Sequence, residues 1–126
     1  MLINGVDLVE IARIRTITEK YGERFLKKIY TAHEIAYCQG RAPQLASRFA
    51  AKEAVMKTIG TGARGVRWRD IEVHREQGRA PSIRLYGTAL TRARMLGSDH
   101  FALSLSHSED YAIAFVVAES REGNHI

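Results

Sequence analysis

The chain has 126 residues and a formal net charge of +5, and 45% of its residues are hydrophobic and 26% charged. This composition is that of a globular protein and excludes a disordered one, and the length suffices for one domain. The excess of basic residues favours an anionic partner, such as nucleic acid, a phosphorylated small molecule, an acidic protein or a membrane surface. The single cysteine, Cys38, excludes an intrachain disulfide and a cysteine-rich metal site.

The sequence also carries no signal for secretion or membrane insertion. At the N-terminus no basic segment precedes a long apolar run. No stretch reaches the roughly 18 uninterrupted apolar residues that a membrane-spanning helix needs. We therefore expect a soluble protein of a reducing, cytoplasmic compartment that binds no membrane.

The first predicted elements are a strand and a helix. The segment LINGVDLVEI at 2–11 is apolar on both faces, which indicates a buried strand. From residue 11 onward, apolar residues recur at helical spacing at Ile14, Ile17, Tyr21 and Phe25. Basic residues occupy another side of this helix, at Arg13, Lys20, Arg24 and Lys27. We expect Gly22 to divide the helix and the apolar side, including its aromatic residues, to face the core.

Two further helices follow in the sequence. Thr31 and Glu34 have the spacing of a capping box, which predicts a short helix beginning there. Gly40 and Pro43 indicate a loop, and a long helix is predicted over 44–59. Gly60 is expected to end that helix as a left-handed residue just after the last turn.

The second half of the chain predicts two antiparallel hairpins separated by a helix. Residues 67–76 and 81–87 read as strands around a glycine-containing turn, 88–97 as a helix, and 100–108 and 111–119 as strands around a tight turn. Separated hairpins with intervening helices indicate an α+β fold. We expect an antiparallel sheet of about five strands packed against the long buried helix, in a single domain at 1–119 with a polar tail at 120–126.

Two carboxylates stand in otherwise apolar segments. Asp7 lies in the middle of the first strand, and burying a lone carboxylate is costly unless it is paired or binds a metal. Glu53 lies on the long helix, four residues before Lys57, where an intrahelical ion pair worth only about 0.3–0.5 kcal/mol is the simplest explanation. That explanation does not account for charges on a helix suited to burial.

Two short motifs could bind an anion. GTGARG at 60–65 offers backbone N–H groups with little steric bulk, although it lacks the P-loop pattern, and it serves equally well as a plain helix end. SLSHS at 104–108 places serines on one face of a strand and His107 on the other, so a serine–histidine nucleophile pair is not implied. Two carboxylates, a row of cations and a glycine-rich loop together suit a phosphoanhydride substrate with Mg²⁺.

The sequence resembles the holo-acyl-carrier-protein synthases, which are 4′-phosphopantetheinyl transferases of the short, trimeric bacterial type. Four blocks in order carry the resemblance: GVDLVEIAR at 5–13, RFAAKEAVMKTIGTG at 48–62, WRDIEV at 68–73 and SLSHSEDYAIAFVV at 104–117. The resemblance covers nearly the whole chain. The segments at 39–46 and 63–67 are short for the family.

The resemblance implies an enzyme that transfers phosphopantetheine from coenzyme A to a serine of apo-acyl carrier protein and releases adenosine 3′,5′-bisphosphate in fatty acid biosynthesis. Asp7 and Glu53 match the family's magnesium ligands and, with Lys57, its catalytic residues. The positions that match coenzyme A-binding residues are Arg48, Lys57, Gly60, Thr61, Gly62, Ser106, His107 and Ser108. His107 and its neighbours would reach coenzyme A from the adjoining subunit of a homotrimer. The positions that match carrier-protein-binding residues are Arg13, Lys20 and Arg24, and the resemblance implies that Arg13 and Arg24 meet an acidic helix of the carrier protein.

Three questions stay open from the sequence. The base that deprotonates the carrier serine could be Glu53, Glu34 or a metal-bound water, and Glu34 has the capping box as an alternative explanation. The metal could be magnesium or manganese, and the carrier could belong to a polyketide or peptide synthase. A small nucleic-acid-binding module is the rival from another class. It predicts aromatic residues interleaved with cations on an open face and leaves Asp7 and Glu53 unexplained.

Overall fold

The computed structural model describes residues 1–60, 65–98 and 100–121. These residues form five strands, β1 (Leu2–Glu10), β2 (Ile71–His74), β3 (Ser82–Leu85), β4 (Phe101–His107) and β5 (Tyr111–Glu119). They also form five helices, α1 (Ile11–Tyr21), α2 (Glu23–Ile29), α3 (Ala32–Cys38), α4 (Ala42–Ile59) and α5 (Gly87–Met95), and a short 3₁₀ helix at Trp68–Asp70. Among these described helices, none is long and apolar enough to span a bilayer. The predicted α+β class is confirmed.

The strands are divided between two antiparallel sheets. β5 lies between β1 and β4 in a three-stranded sheet, and β2 pairs with β3 in a two-stranded sheet. The sequence predicted one sheet of about five strands. The strand number agrees, but β3 lies against β4 without pairing to it, so the two hairpins stay separate.

Helix α4 is the central element of the core and packs against β1 and β5. Ala46, Ala50 and Ala54 are fully buried, and their small side chains let the sheet approach the helix closely. The approach is closest at Gly5 of β1, where an added Cβ atom would lie 2.3 Å from the carbonyl oxygen of Ala54. Glycine is therefore required at this position, and the contact fixes β1 against the second half of α4.

Most helix ends agree with their sequence signals. Gly22 separates α1 from α2 with a φ of 55°, and Gly60 ends α4 in the left-handed conformation. The Thr31–Glu34 capping box is formed at the start of α3. The start of α4 differs from the prediction, because the helix begins at Ala42 and not at residue 44. Pro43 occupies the first helical turn, where its missing N–H has no intrahelical partner to lose.

The described residues continue to Arg121, past residue 119, where the sequence predicted the domain to end and a polar tail to begin. Ser120 is buried, and its N–H donates to the carbonyl of Met1 at 2.7 Å. The Ser120 hydroxyl donates to the carbonyl of Leu96 at 2.8 Å, and the Arg121 N–H donates to the same carbonyl at 3.1 Å. The remaining tail residues, 122–126, lie outside the described residues.

Candidate active site

An ion pair between β1 and α4 forms the centre of the candidate site. The alternation of β1 places Asp7 opposite the buried Ala114, on the sheet face that packs against α4. Lys57 Nζ lies 2.9 Å from Asp7 Oδ1 and donates to the carbonyl of Val6 at 3.1 Å. The simplest expectation from the sequence was an ion pair between Glu53 and Lys57. Among the ion pairs of the described residues, Lys57 instead pairs with Asp7, which lies 50 residues away in the sequence.

Glu53 lies one helical turn before Lys57 and shares its electrostatic environment with Asp7. The pKa of Glu53 is raised, first by partial burial and then by the negative charge of Asp7, against the smaller effects of Lys57 and Arg13. The pKa of Lys57 is also raised, because its ammonium donates a hydrogen bond to the Asp7 carboxylate. The carboxylates of Asp7 and Glu53 thus repel each other beside Lys57, and a further cation bound between them would be stabilised.

The donor set suits magnesium shared with a substrate. Within the described residues, no group of three or more His, Cys, Asp or Glu side chains could hold a metal by itself. Mg²⁺ is commonly bound by one or two carboxylates while waters and substrate phosphates complete its shell. Asp7 and Glu53 supply two such carboxylates and, as oxygen ligands, fit this requirement.

The end of α4 is held by α5. Gly60 has a φ of 76°, and its N–H donates to the carbonyls of Met56 and Lys57. Arg92 Nε of α5 donates to the carbonyl of Ile59 at 3.0 Å, and the hydroxyl of Thr88 donates to the carbonyl of Gly65 at 2.6 Å. Residues on one face of α5 therefore contact the chain on both sides of 61–64. The predicted binding residues Thr61 and Gly62 lie outside the described residues.

A second cluster of cations lies around Arg48, which is only 3% exposed. The Arg48 guanidinium stacks over the Tyr37 ring at 4.7 Å, and its Nη1 donates to the hydroxyl of Ser47 at 3.0 Å. Its Nη2 is buried and has no hydrogen-bond partner among the described residues. A buried guanidinium nitrogen without an acceptor is costly, so an anion at this position would be stabilised.

Arg48 opens into a cavity of about 310 Å³ that also contains two of the other predicted coenzyme A-binding residues. The cavity is lined by Tyr37, Gln44, Ser47, Arg48, Arg75, Leu105, Ser106 and His107. We call this set the Arg48 cavity. Its second arginine, Arg75, was not singled out from the sequence, because nothing in the spacing of the residues after β2 indicates that Arg75 meets α4 and β4.

The Ser108 hydroxyl caps the turn between β4 and β5 in this chain. Its hydroxyl accepts hydrogen bonds from the N–H groups of Asp110 at 3.4 Å and Tyr111 at 3.2 Å. These contacts stabilise the turn between β4 and β5. Ser108 is exposed and does not line the Arg48 cavity, so its part in coenzyme A binding stays a prediction.

The Asp7–Lys57 pair and the Arg48 cavity lie on opposite sides of α4. Lys57 follows Arg48 by nine residues, which is about 13 Å along the helix axis and roughly half a turn around it. One chain therefore does not present Lys57 and Arg48 to the same small anion. The predicted binding residues of this chain form two separate groups.

The predicted carrier-binding residues lie along the exposed side of α1 and α2. The positive charge of Arg13 is near enough to Glu53 to oppose part of the rise in the pKa of Glu53. Lys20 Nζ lies 5.3 Å from the centroid of the Tyr21 ring. Arg24 borders a groove of about 430 Å³ that we call the apolar groove, lined by Ile17, Tyr21, Arg24, Phe25, Lys28, Ile29, Phe49 and Trp68. The expectation that Tyr21 belongs to the core is wrong, since its side chain is 49% exposed at this groove.

Glu34 is completely enclosed. Glu34 Oε1 lies 2.7 Å from Lys52 Nζ, and both side chains are 0% exposed. The same carboxylate accepts hydrogen bonds from the N–H groups of Thr31 at 2.9 Å and Val73 at 2.7 Å. The capping-box interpretation therefore accounts for Glu34, and no route connects its oxygens to a substrate hydroxyl.

Comparison with known proteins agrees with this geometry. The sequence profile described as the 4′-phosphopantetheinyl transferase superfamily matches residues 4–116. The chain is 49% identical over 123 residues to the holo-[acyl-carrier-protein] synthase of Koribacter versatilis, covering 94% of this chain and 98% of that protein. It is 46% identical over 124 residues to the holo-[acyl-carrier-protein] synthase of Herpetosiphon aurantiacus, covering 93% and 98% of the two chains.

The fold is also similar to solved structures of such synthases. The Helicobacter pylori holo-[acyl-carrier-protein] synthase in complex with coenzyme A aligns with a TM-score of 0.83 at 29% identity, covering 93% of this chain and 100% of that one. The Neisseria meningitidis holo-[acyl-carrier-protein] synthase aligns with a TM-score of 0.81 at 37% identity, covering 94% and 98%. The chain therefore belongs to the 4′-phosphopantetheinyl transferase superfamily.

Proposed function

We propose that this chain transfers the 4′-phosphopantetheine group of coenzyme A to a serine of apo-acyl carrier protein, as a step of fatty acid biosynthesis. The observation that carries the proposal is the cluster of Asp7, Glu53 and Lys57 in a member of this superfamily. Relatives that cover nearly the whole chain are named holo-[acyl-carrier-protein] synthases, and one similar structure contains coenzyme A, which supports the same substrates here.

The reaction requires mainly positioning and charge neutralisation. The serine oxygen forms a bond to the phosphorus that carries pantetheine. The bond from that phosphorus to the bridging oxygen breaks, and its electrons leave with adenosine 3′,5′-bisphosphate. The exposed ammonium of Lys57 is placed to neutralise phosphate oxygens, while its hydrogen bond to Asp7 fixes its position.

Asp7 and Glu53 would hold Mg²⁺, which when bound neutralises charge on the phosphate oxygens. Glu53 is also the carboxylate we assign to accept the serine proton, because the enclosed Glu34 has no access to a substrate.

We further propose that the enzyme is a homotrimer with active sites shared between copies. The outer face of the three-stranded sheet carries apolar side chains that are 39–68% exposed, namely Leu2, Val6, Leu8, Ile113 and Phe115, together with Tyr111. A contiguous exposed apolar surface of this kind is typical of an interface between subunits. The separation of Lys57 from Arg48 on α4 supports the same conclusion, since a neighbouring copy can supply the second half of a site.

The acidic carrier protein would bind along α1 and α2. Arg13, Lys20 and Arg24 are exposed cations, and the apolar groove beside Arg24 can receive apolar side chains of the carrier. Arg13 lies close to Glu53, so a carrier bound there would have its serine near the candidate catalytic residues.

The direct test is incubation with coenzyme A, Mg²⁺ and an apo-acyl carrier protein, followed by intact-mass spectrometry of the carrier. We expect the carrier to gain one phosphopantetheine group, and we expect EDTA to prevent the gain. An unchanged carrier mass under all metal conditions would contradict the proposal. Apo-carrier domains of polyketide and peptide synthases, assayed in parallel, test the alternative carriers by their kcat/KM values.

The rival nucleic-acid-binding function has one observation in its favour, the exposed Tyr21 beside Lys20. Membership of the superfamily does not favour it, and it leaves the Asp7–Lys57 pair without a role. Fluorescence titration with single-stranded and duplex oligonucleotides tests it. We expect weak binding that disappears at physiological salt.

A further inference from the structure

A second basic surface lies beside the apolar groove, on the 3₁₀ helix at Trp68–Asp70. Here a cavity of about 500 Å³ is lined by Lys28, Thr31, Arg67, Arg69, Asp70, Glu72 and Tyr86. Lys28, Arg67 and Arg69 are exposed at its edge, and we call these three residues the basic rim. The family resemblance places no carrier-binding residue there.

The acidic residues of this cavity are already engaged inside the protein. Asp70 is buried, and its Oδ1 lies 3.5 Å from Arg67 Nη2. The oxygens of the buried Glu72 accept hydrogen bonds from the hydroxyl of Thr31 at 2.5 Å and from that of Tyr86 at 3.2 Å. The exposed charge of the rim is therefore positive, and a partner that approaches it meets Lys28 and Arg69 before either carboxylate.

The basic rim is continuous with the apolar groove. Lys28 lines both cavities, and Trp68 of the groove directly precedes Arg69 in the chain. Phe49 and Trp68 of the groove stack at 4.8 Å between ring centroids, which fixes the position of Trp68 beside Arg69. A partner bound at Arg24 and the groove would thus extend onto the rim without crossing another element.

We propose that the basic rim is a second contact surface for the acidic carrier protein, in addition to the stripe on α1 and α2. The inference rests on the proposed function. The charge of the rim complements the acidic carrier, and its continuity with the groove places it beside the same bound partner. Arg69 is the central residue of the proposal, because it is exposed and none of the ion pairs of the described residues includes it.

The test is a graded series at position 69, with Arg69→Lys, Arg69→Gln and Arg69→Glu, assayed for transfer with Mg²⁺, coenzyme A and apo-acyl carrier protein. We expect the KM for the carrier to stay near the wild-type value in the lysine variant. It should rise about 2- to 4-fold in the glutamine variant and about 5- to 10-fold in the glutamate variant. The KM for coenzyme A and the melting temperature should not change. The salt dependence of the carrier KM should be weaker in Arg69→Glu than in the wild type.

The matched control is Arg94→Glu, which makes the same charge change at an exposed position of α5 outside the rim. If the carrier KM rises equally in Arg69→Glu and Arg94→Glu, the change in net charge alone explains the effect, and the proposal is overturned. A constant carrier KM across the series, or a rise in the KM for coenzyme A instead, would overturn it as well. Failure of the proposed function gives a separate result, since the wild-type protein would then transfer nothing to the carrier.

Discussion

Two carboxylates near α4 illustrate how burial assigns a role to a residue. Glu34 is paired with Lys52 and accepts two backbone hydrogen bonds, so its charge serves the fold. Glu53 is half-buried beside Asp7, and its raised pKa reflects a charge that the protein leaves partly uncompensated. A carboxylate held in that condition is suited to a cation or a proton that arrives with the substrate.

Removal of either active-site carboxylate should abolish transfer without unfolding the protein. We expect Asp7→Asn and Glu53→Gln each to lower kcat/KM by on the order of 10²-fold or more, because each removes a proposed magnesium ligand and Glu53→Gln also removes the proposed proton acceptor. Glu23→Gln is the control, since Glu23 is an exposed residue paired with Lys27. Mass spectrometry of the carrier gives the rate, and circular dichroism checks the fold. Wild-type rates in either variant would remove that residue from the mechanism.

The lone cysteine gives a stability prediction at alkaline pH. Burial raises the pKa of the Cys38 thiol to about 11, above the value of about 8.5 expected in the unfolded chain. Between these values the unfolded state loses the thiol proton and the folded state keeps it. The free energy of unfolding therefore falls as pH rises, by up to about 1.4 kcal/mol per pH unit for this group.

Urea unfolding between pH 8 and 11 measures this contribution, at a fixed protein concentration. The wild type should lose about 2–3 kcal/mol more stability over this range than Cys38→Ala. Burial also raises the pKa of Tyr30, and Cys38 adds a smaller contribution to that rise. The part due to burial is common to both proteins, so only the part due to Cys38 adds to the measured difference. Parallel stability profiles would show that the thiol is not buried as described.

At the scale of elements, the contact between β1 and α4 sets the geometry of the site. Gly5 and Asp7 lie on the same face of β1. The distance between the strand and α4, which is set where Gly5 contacts Ala54, therefore also sets the distance between Asp7 and Lys57. Gly5→Ala would place its Cβ 2.3 Å from the Ala54 carbonyl oxygen and 2.5 Å from the Thr58 hydroxyl oxygen. We expect the free energy of unfolding, measured with urea, to fall by about 2–3 kcal/mol, because the backbone oxygen cannot move aside.

Asn4→Ala is the matched control, because Asn4 precedes Gly5 on the same strand but points to the opposite sheet face. We expect it to cost well under 1 kcal/mol. A Gly5→Ala variant that is as stable and as active as Asn4→Ala would mean that β1 and α4 are not in such close contact. A stable Gly5→Ala variant with reduced activity would instead indicate that the strand shifts and carries Asp7 with it.

Local signals predicted most elements, and long-range contacts explain what they did not predict. Gly22, the Thr31–Glu34 box and Gly60 each act on their own helix end, so spacing alone identified them. The Asp7–Lys57 pair joins residues 50 apart, whereas the nearest candidate in sequence was Glu53. The first strand is apolar on both faces, so the sequence predicted a buried strand, whereas one of its faces is exposed in this chain.

The whole molecule presents two incomplete sites on opposite sides of α4. Lys57 and Asp7 lie on one side, and the Arg48 cavity lies on the other. The apolar outer face of the three-stranded sheet provides a surface on which copies can associate. If copies associate in a closed ring, the Lys57 side of one chain can meet the Arg48 side of the next.

Subunit complementation tests this arrangement without a structure of the assembly. Lys57→Ala and Arg48→Ala should each be nearly inactive alone, since each lacks one half of every site. When the two variants are co-expressed with different tags and purified through both, mixed particles contain some sites with both halves intact. In a trimer that contains both variants, one of the three sites is complete, and we expect about a third of wild-type activity per site. Light scattering checks that the mixed particle has the mass of the wild-type assembly. If a particle of that mass is no more active than the separate variants, each chain builds its site alone and the shared-site arrangement is wrong.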